Sequence, residues 1–335
     1  MMRWGRIPCD GEMLGGRCTA CTLQGLGLNR LVATGFASIP RWSRDGLAKT
    51  KKSGGIWTAL RMRELVEERH AATRAFLSEV DHIVAVCEWV RDVLLINGVP
   101  ADKITLCRQG IERTALDEDG RSKMEDGGAQ MPSEGFTPER PLRLVFLGRL
   151  DPTKGVHVLI EAMRLGKDLP ITLDIYGTAQ GESGAAYAER LKKLVGDDQR
   201  IRFCPTLAAD QVVRTLRHYD ILAVPSQWLE TGPLVVLEAF AAGIPVLGSN
   251  LGGIVELMSG RVNGFLVDAQ KPTSWSTAIE ELVSNPSSLD HMRATQPHLM
   301  SDVGATMIDL YRELARVFTK QPAKVRRRLY RKQEP

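Results

Sequence analysis

From Pro141 onward the chain alternates between short apolar runs and stretches of helical periodicity. The apolar runs lie at 142–147, 171–176, 201–203, 221–224, 245–248 and 264–267. Helical patterns lie near 154–164, 185–195, 208–219, 233–242, 253–258 and 273–283. Few folds accommodate that order. Short apolar strands separated by helices form βαβ units, and these build a mostly parallel sheet covered on both faces. The pattern predicts an α/β chain whose ligands bind outside the carboxyl ends of its strands.

The rest of the chain is less regular. Residues 1–55 are glycine-rich and read as irregular. A helix is predicted over 56–80, where Leu60, Leu65, Val66, Phe76 and Leu77 recur among charges that form a solvated face. A short strand follows at 82–86, then a turn at Cys87–Glu88 and a helix from Trp89 to Asn97 that Gly98 ends. A second strand at 104–107 runs into Arg108–Glu112. Residues 114–140 carry charge, glycine and proline without periodicity, which marks a linker. The expected organisation is a partial Rossmann-like domain over 1–113, the linker, a second Rossmann-like domain over 141–302, a helix over 303–320 and a basic tail over 321–335.

Composition narrows the function classes. The chain has 335 residues, enough for about two domains. A net charge of +4 does not argue for nucleic acid as a partner. No apolar run approaches the roughly 18 residues of a spanning helix, and the first residues lack the apolar core of a secretory signal. Six cysteines do not form a secreted disulfide frame, so the expected location is the cytoplasm. The tail Lys324-Val-Arg-Arg-Arg-Leu-Tyr-Arg-Lys332 could touch an anionic membrane face, although a solvated end is the simpler reading. Cys9, Cys18 and Cys21 leave two readings open. They are loop thiols, or three ligands of a metal site that still needs a fourth.

The chemistry concentrates in four turns at predicted strand ends. The first, Gly148-Arg-Leu-Asp-Pro-Thr-Lys-Gly155, carries Arg149 and Lys154. Arginine grips a diphosphate with parallel hydrogen bonds, and lysine adds a point charge. The second begins at Gly177, where a flat ring could approach the backbone. The third holds Glu230, Thr231 and Gly232, followed by Pro233 as the first helical residue and by Leu234. Backbone N–H groups at that helix start favour an anion. The fourth, Asn250-Leu-Gly-Gly-Ile-Val-Glu256, offers Gly253 for close approach. Glu230 and Glu238 suit the hydroxyls of a sugar and a ribose; the alternative for Glu238 is a helix glutamate paired with a nearby lysine or arginine. Neither G-x-G-x-x-G after a strand nor G-x-x-x-x-G-K-[ST] occurs.

Together these residues resemble a family. Gly148-Arg-Leu, Lys154-Gly, Pro225-Ser226, Glu230 with Glu238 eight residues on, Ala242-Gly-Ile-Pro-Val246, Gly252-Gly253, Glu256 and Asn263-Gly-Phe-Leu-Val267 are similar to the donor half of retaining family 4 glycosyltransferases of the GT-B fold. Val80–Glu88 and Asn97–Ile104 resemble the last units of the acceptor half, so the likeness runs over about residues 75–320. It implies two Rossmann-like domains with parallel sheets, the first incomplete, and a last helix that crosses back onto the first domain. The implied donor is a UDP- or GDP-linked sugar, with no cofactor or metal required, retention at the anomeric carbon, and a glycan or lipid-linked acceptor. In that frame Arg149, Lys154 and Glu230 are the catalytic residues. Gly148, Gly177, Thr231, Gly232, Pro233, Leu234, Glu238 and Gly253 bind the donor. Cys87 departs from the serine common there, and Pro205 from a glycine. Residues 1–55 supply no strand–glycine–helix opening, which leads to the expectation that the front of the acceptor domain is missing. Two other readings stand beside the transferase: a protein that binds donor without turnover, and a Rossmann-type binder of another nucleotide.

Overall fold

The structure, a computed structural model, describes residues 2–3, 7–39, 54–112, 136–258, 262–292 and 297–320. Met2–Arg3 (β1) and Ile7–Pro8 (β2) pair antiparallel. Two helices follow, Gly15–Gly25 (α1) and Arg30–Ala37 (α2), so the expectation of an irregular 1–55 is corrected over 15–37. Asn29 starts α2 by accepting from Val32 N at 2.9 Å, a cap that fixes the entry of the chain. Glycines at 15, 16, 25 and 35 had diluted the apolar periodicity. Both helices pack on Gly55–Glu79 (α3) through Leu23, Ala33, Met62 and Val66.

Ile83–Ala85 (β3), Glu88–Ile96 (α4) and Ile104–Leu106 (β4) form a small βαβ unit whose two strands run parallel. Helix α4 begins at Glu88, one residue earlier than expected. Gly98 follows it at φ +87°, the left-handed conformation that ends a helix.

Most of the predicted linker lies outside the described residues. Its described end, 136–140, is not extended. Phe136 is buried in the main core, and Thr137 and Arg140 exchange backbone hydrogen bonds of 3.1 Å in each direction.

The larger unit follows the predicted order. Its elements are Leu142–Arg149 (β5), Val156–Leu165 (α5), Ile171–Thr178 (β6), Gly181–Val195 (α6), Ile201–Cys204 (β7), Val212–Leu216 (α7), Ile221–Val224 (β8), Leu234–Ala242 (α8), Val246–Ser249 (β9), Gly252–Leu257 (α9), Gly264–Val267 (β10) and Pro272–Ser284 (α10). The six strands form one parallel sheet, ordered β10-β9-β8-β5-β6-β7. The order reverses between β5 and β8, and a crevice opens at that point on the carboxyl side.

The central strands β5 and β8 are apolar on both faces. Leu144 and Phe146 of β5 join one core with Leu159, Met163 and the fully buried Trp275, while Val145 between them joins the other with Val236, Leu237 and Phe240. Alternation along the strand sends successive side chains to opposite layers. The helix predicted over 208–219 is shorter, a single 3-10 turn at Ala209–Gln211 followed by the five residues of α7. Pro233 is not helical: at φ −67° and ψ 124° it is extended and precedes the first helical residue, Leu234. Gly243, at φ +76°, ends α8 as expected.

The chain closes with Ser287–His291 (α11) and Met300–Lys320 (α12). Before α12 it returns to the smaller unit. Ile111 N donates to His298 O at 2.9 Å, and Met300 N donates to Ile111 O at 2.8 Å. Helix α12 then runs largely exposed, with Leu310 buried and Ile308 and Tyr311 facing out. No described helix is long and apolar enough to cross a membrane.

Candidate active site

The turn after β5 is built tightly. Asp151 accepts from Thr153 N at 2.8 Å and initiates a single 3-10 turn over Pro152–Lys154. The Thr153 hydroxyl, and then its N–H, hold the Asp151 carboxyl below the usual carboxylate range. Gly155 reverses the chain at φ +73°, and a Cβ there would lie 1.8 Å from Pro225 O. The glycine therefore lets the β5 turn seat against the end of β8. Thr153 O completes the joint, accepting from Gln227 N at 2.7 Å and Ser226 Oγ at 3.2 Å.

This joint brings two predicted residues into contact. Lys154 Nζ lies 2.7 Å from Glu230 Oε1, and Ser226 Oγ donates to the same oxygen at 2.7 Å. Both charged side chains are mostly buried, 25% and 16% exposed, so the pair is screened less than a surface one. Arg149, the last residue of β5, is exposed, and its guanidinium has no hydrogen-bonded partner among the described residues. The same crevice thus holds a neutralised pair and a cation whose donors face solvent.

Glu238 lies in the second turn of α8, a helix apolar on nearly every side. It is half-buried, and burial alone raises its pKa. No lysine or arginine pairs with it among the described residues, which decides against the ion-pair reading. What remains is a desolvated carboxylate free to accept. The N–H groups of Leu234 and Val235 at the start of α8 have no acceptor within the helix, whereas Val236 N donates to Pro233 O at 3.0 Å.

The glycines divide by role. A Cβ on Gly253 would meet Gly232 N at 2.6 Å and Glu230 O at 2.8 Å, so this glycine lets α9 pack against the Glu230 turn. Gly253 N also donates to Glu230 O at 2.7 Å. The face of Gly177 that a Cβ would occupy is filled by Leu150, 2.3 Å away, and its close approach on that side is to the protein itself. Gly148 precedes Arg149 at the end of β5, and Thr231 and Gly232 line a small cavity with Cys87, Arg108, Gln109 and Glu256.

That cavity lies between the two units and holds residues the sequence reading did not assign. Glu256 accepts from Glu88 N at 2.6 Å and Trp89 N at 2.9 Å, and Arg108 Nη2 stands 3.6 Å away. Trp89 Nε1 donates to Glu230 O at 2.8 Å. The one available signal was Cys87. It occupies the N-cap position of α4 without a side-chain cap, where a serine would have supplied one, so the helix start needs an acceptor from elsewhere. The cysteines at 9, 18 and 21 are corrected as a metal candidate. Among the described residues no group of three His, Cys, Asp or Glu side chains is arranged to hold a metal ion, and Cys18 approaches Glu12 O at 3.9 Å.

Comparison with known proteins bears on the family and the fold. The sequence model of the family described as Glycosyl transferases group 1 matches residues 130–298. The D-inositol 3-phosphate glycosyltransferase of Rhodococcus jostii (strain RHA1) is 30% identical over 237 residues, covering 68% of this chain and 50% of that protein. The chain thus spans about half the length of the curated relatives it matches. Anabaena Alr3699/HepE, solved in complex with UDP, superposes with a TM-score of 0.57 at 20% identity, over 76% of this chain and 68% of that one. A glycosyltransferase from Rickettsia africae ESF-5 superposes with a TM-score of 0.60 at 15% identity, over 91% and 95%. At these identities the two structures speak to the fold alone.

Proposed function

Because the chain belongs to the group 1 glycosyl transferases and has their GT-B fold, we propose that it moves a sugar, with retention, from a UDP- or GDP-linked donor to a glycan or lipid-linked acceptor. The observation that carries the reading is the Lys154–Glu230 pair beside the free Arg149, at the carboxyl ends of a parallel sheet. A diphosphate entering there draws Lys154 toward itself and meets Arg149 and the first amides of α8. Glu230, released from Lys154, accepts from hydroxyls of the sugar, and Glu238 from those of the ribose. As the sugar–phosphate bond breaks, negative charge grows on the diphosphate, and donors already aimed at it lower the barrier. One such donor is typically worth about 2.7–4 kcal/mol. Glu230 is assigned to orienting the sugar rather than attacking it; with Lys154 drawn to the diphosphate, the Ser226 hydroxyl still holds its carboxylate.

Calorimetric titration with UDP, GDP, ADP and NAD tests the reading. One diphosphate is expected to bind, and Arg149→Ala to weaken it tenfold to a hundredfold, in line with about 1.5–3 kcal/mol for a charged hydrogen bond. Binding of NAD alone would turn the reading toward a dinucleotide enzyme. The two-stranded sheet of the smaller unit favours a second reading, a protein that binds donor and transfers nothing. Turnover separates the two. Transfer to any glycan, lipid-linked or phosphorylated polyol acceptor supports the first, and the relatives' D-inositol 3-phosphate belongs in that screen.

A further inference from the structure

The contacts between the units form a closed ring. Glu230 O has two lone pairs and two donors, Gly253 N–H from α9 and the Trp89 indole N–H from α4. Helix α9 returns the contact, because its Glu256 carboxylate takes the first two amides of α4. Trp89 is therefore held at its backbone by Glu256 while its indole holds Glu230. Its ring packs on Leu229, Leu251 and Ala269, which flank the same turn. The other end of Glu230, its carboxylate, is the group that meets Lys154 and Ser226.

We propose that Trp89, supplied by the smaller unit, is a positioning residue for the sugar-facing turn Glu230–Gly232 of the larger one. The inference rests on the nucleotide-sugar reading and deepens it. A peptide carbonyl bonded on both lone pairs does not rotate, so the Glu230 side chain leaves the backbone in one direction. Sugar recognition depends directly on that direction; diphosphate recognition, at Arg149 and Lys154, depends on it only through the Lys154–Glu230 pair. The smaller unit accordingly acts on the donor site, in addition to any part it plays toward an acceptor.

Trp89→Phe removes the N–H and keeps an aromatic ring on Leu229, Leu251 and Ala269. The test compares UDP with UDP-glucose, and GDP with GDP-mannose, on wild type and variant by calorimetry. In the pair that binds, the variant is expected to lose fivefold or more affinity for the nucleotide sugar and to keep its diphosphate affinity within twofold. Equal loss for both, or no change in either, overturns the proposal. Amide hydrogen exchange is measured alongside. Residues 229–232 are expected to exchange faster in the variant, with the β5 and β6 amides unchanged. Unchanged protection of the turn overturns the proposal even where no nucleotide binds, an outcome that would also sink the nucleotide-sugar reading. If Trp89→Phe does not fold, Glu256→Gln weakens the same ring by removing the charge at the α4 amides. The same split in affinity is then expected at smaller size, and its absence overturns the proposal.

Discussion

Glu238 is a carboxylate that folding disfavours in its charged form. Burial lifts its pKa above the ordinary 4.5, and no cation among the described residues offsets the loss of water. The sign follows from linkage. The folded chain binds this proton more tightly than the unfolded chain, so stability falls as pH rises from below 4.5 through the folded pKa. Glu238→Gln is expected to stabilise the ligand-free protein at pH 7 in urea denaturation, with the gain vanishing below the ordinary pKa. The same variant is expected to bind the nucleotide less well, so that stability and affinity move in opposite directions. A residue kept only for packing would move neither in that pH-dependent way.

At the scale of elements, the joint between the β5 turn and the end of β8 aligns the candidate site. Gly155→Ala is expected to cost about 1–3 kcal/mol for a left-handed residue with a Cβ. The clash with Pro225 O adds to that, and urea denaturation would read the sum. Gly253→Ala forces α9 away from the Glu230 turn and is expected to cost about 1–3 kcal/mol, as overpacking does. These elements were legible in the sequence because apolar runs at regular intervals have one reading in a parallel sheet. That Arg149, Lys154, Glu230 and Glu238 lie at or just beyond strand ends was legible because the strand ends could be located in the sequence. Helices α1 and α2 were not, since glycines broke their periodicity and their apolar partners lie on α3. Nor was the role of Trp89 and Glu256. Their contacts join residues 141 and 167 positions apart, and local pattern carries nothing about which far residue will arrive.

At the scale of the whole molecule, the two units are joined where the chain passes between them and passes back. Gly110 sits at that crossing, and a Cβ on it would meet Leu299 C at 2.6 Å and Met300 N at 2.8 Å. Gly110→Ala is expected to separate the passes, to cost about 1–3 kcal/mol in denaturation, and to loosen the Ile111–Met300 hydrogen bond in amide exchange. Trp89 lies at the other contact between the units, and this has an optical consequence. The chain has six tryptophans, of which Trp275 is sealed in the core and Trp89 is half-buried with its indole N–H on a carbonyl across the junction. Separation of the units would wet Trp89 and shift its emission to longer wavelength while leaving Trp275 dark to solvent. The difference spectrum between wild type and Trp89→Phe is thus a built-in fluorescent gauge of the cleft, readable without attaching a dye.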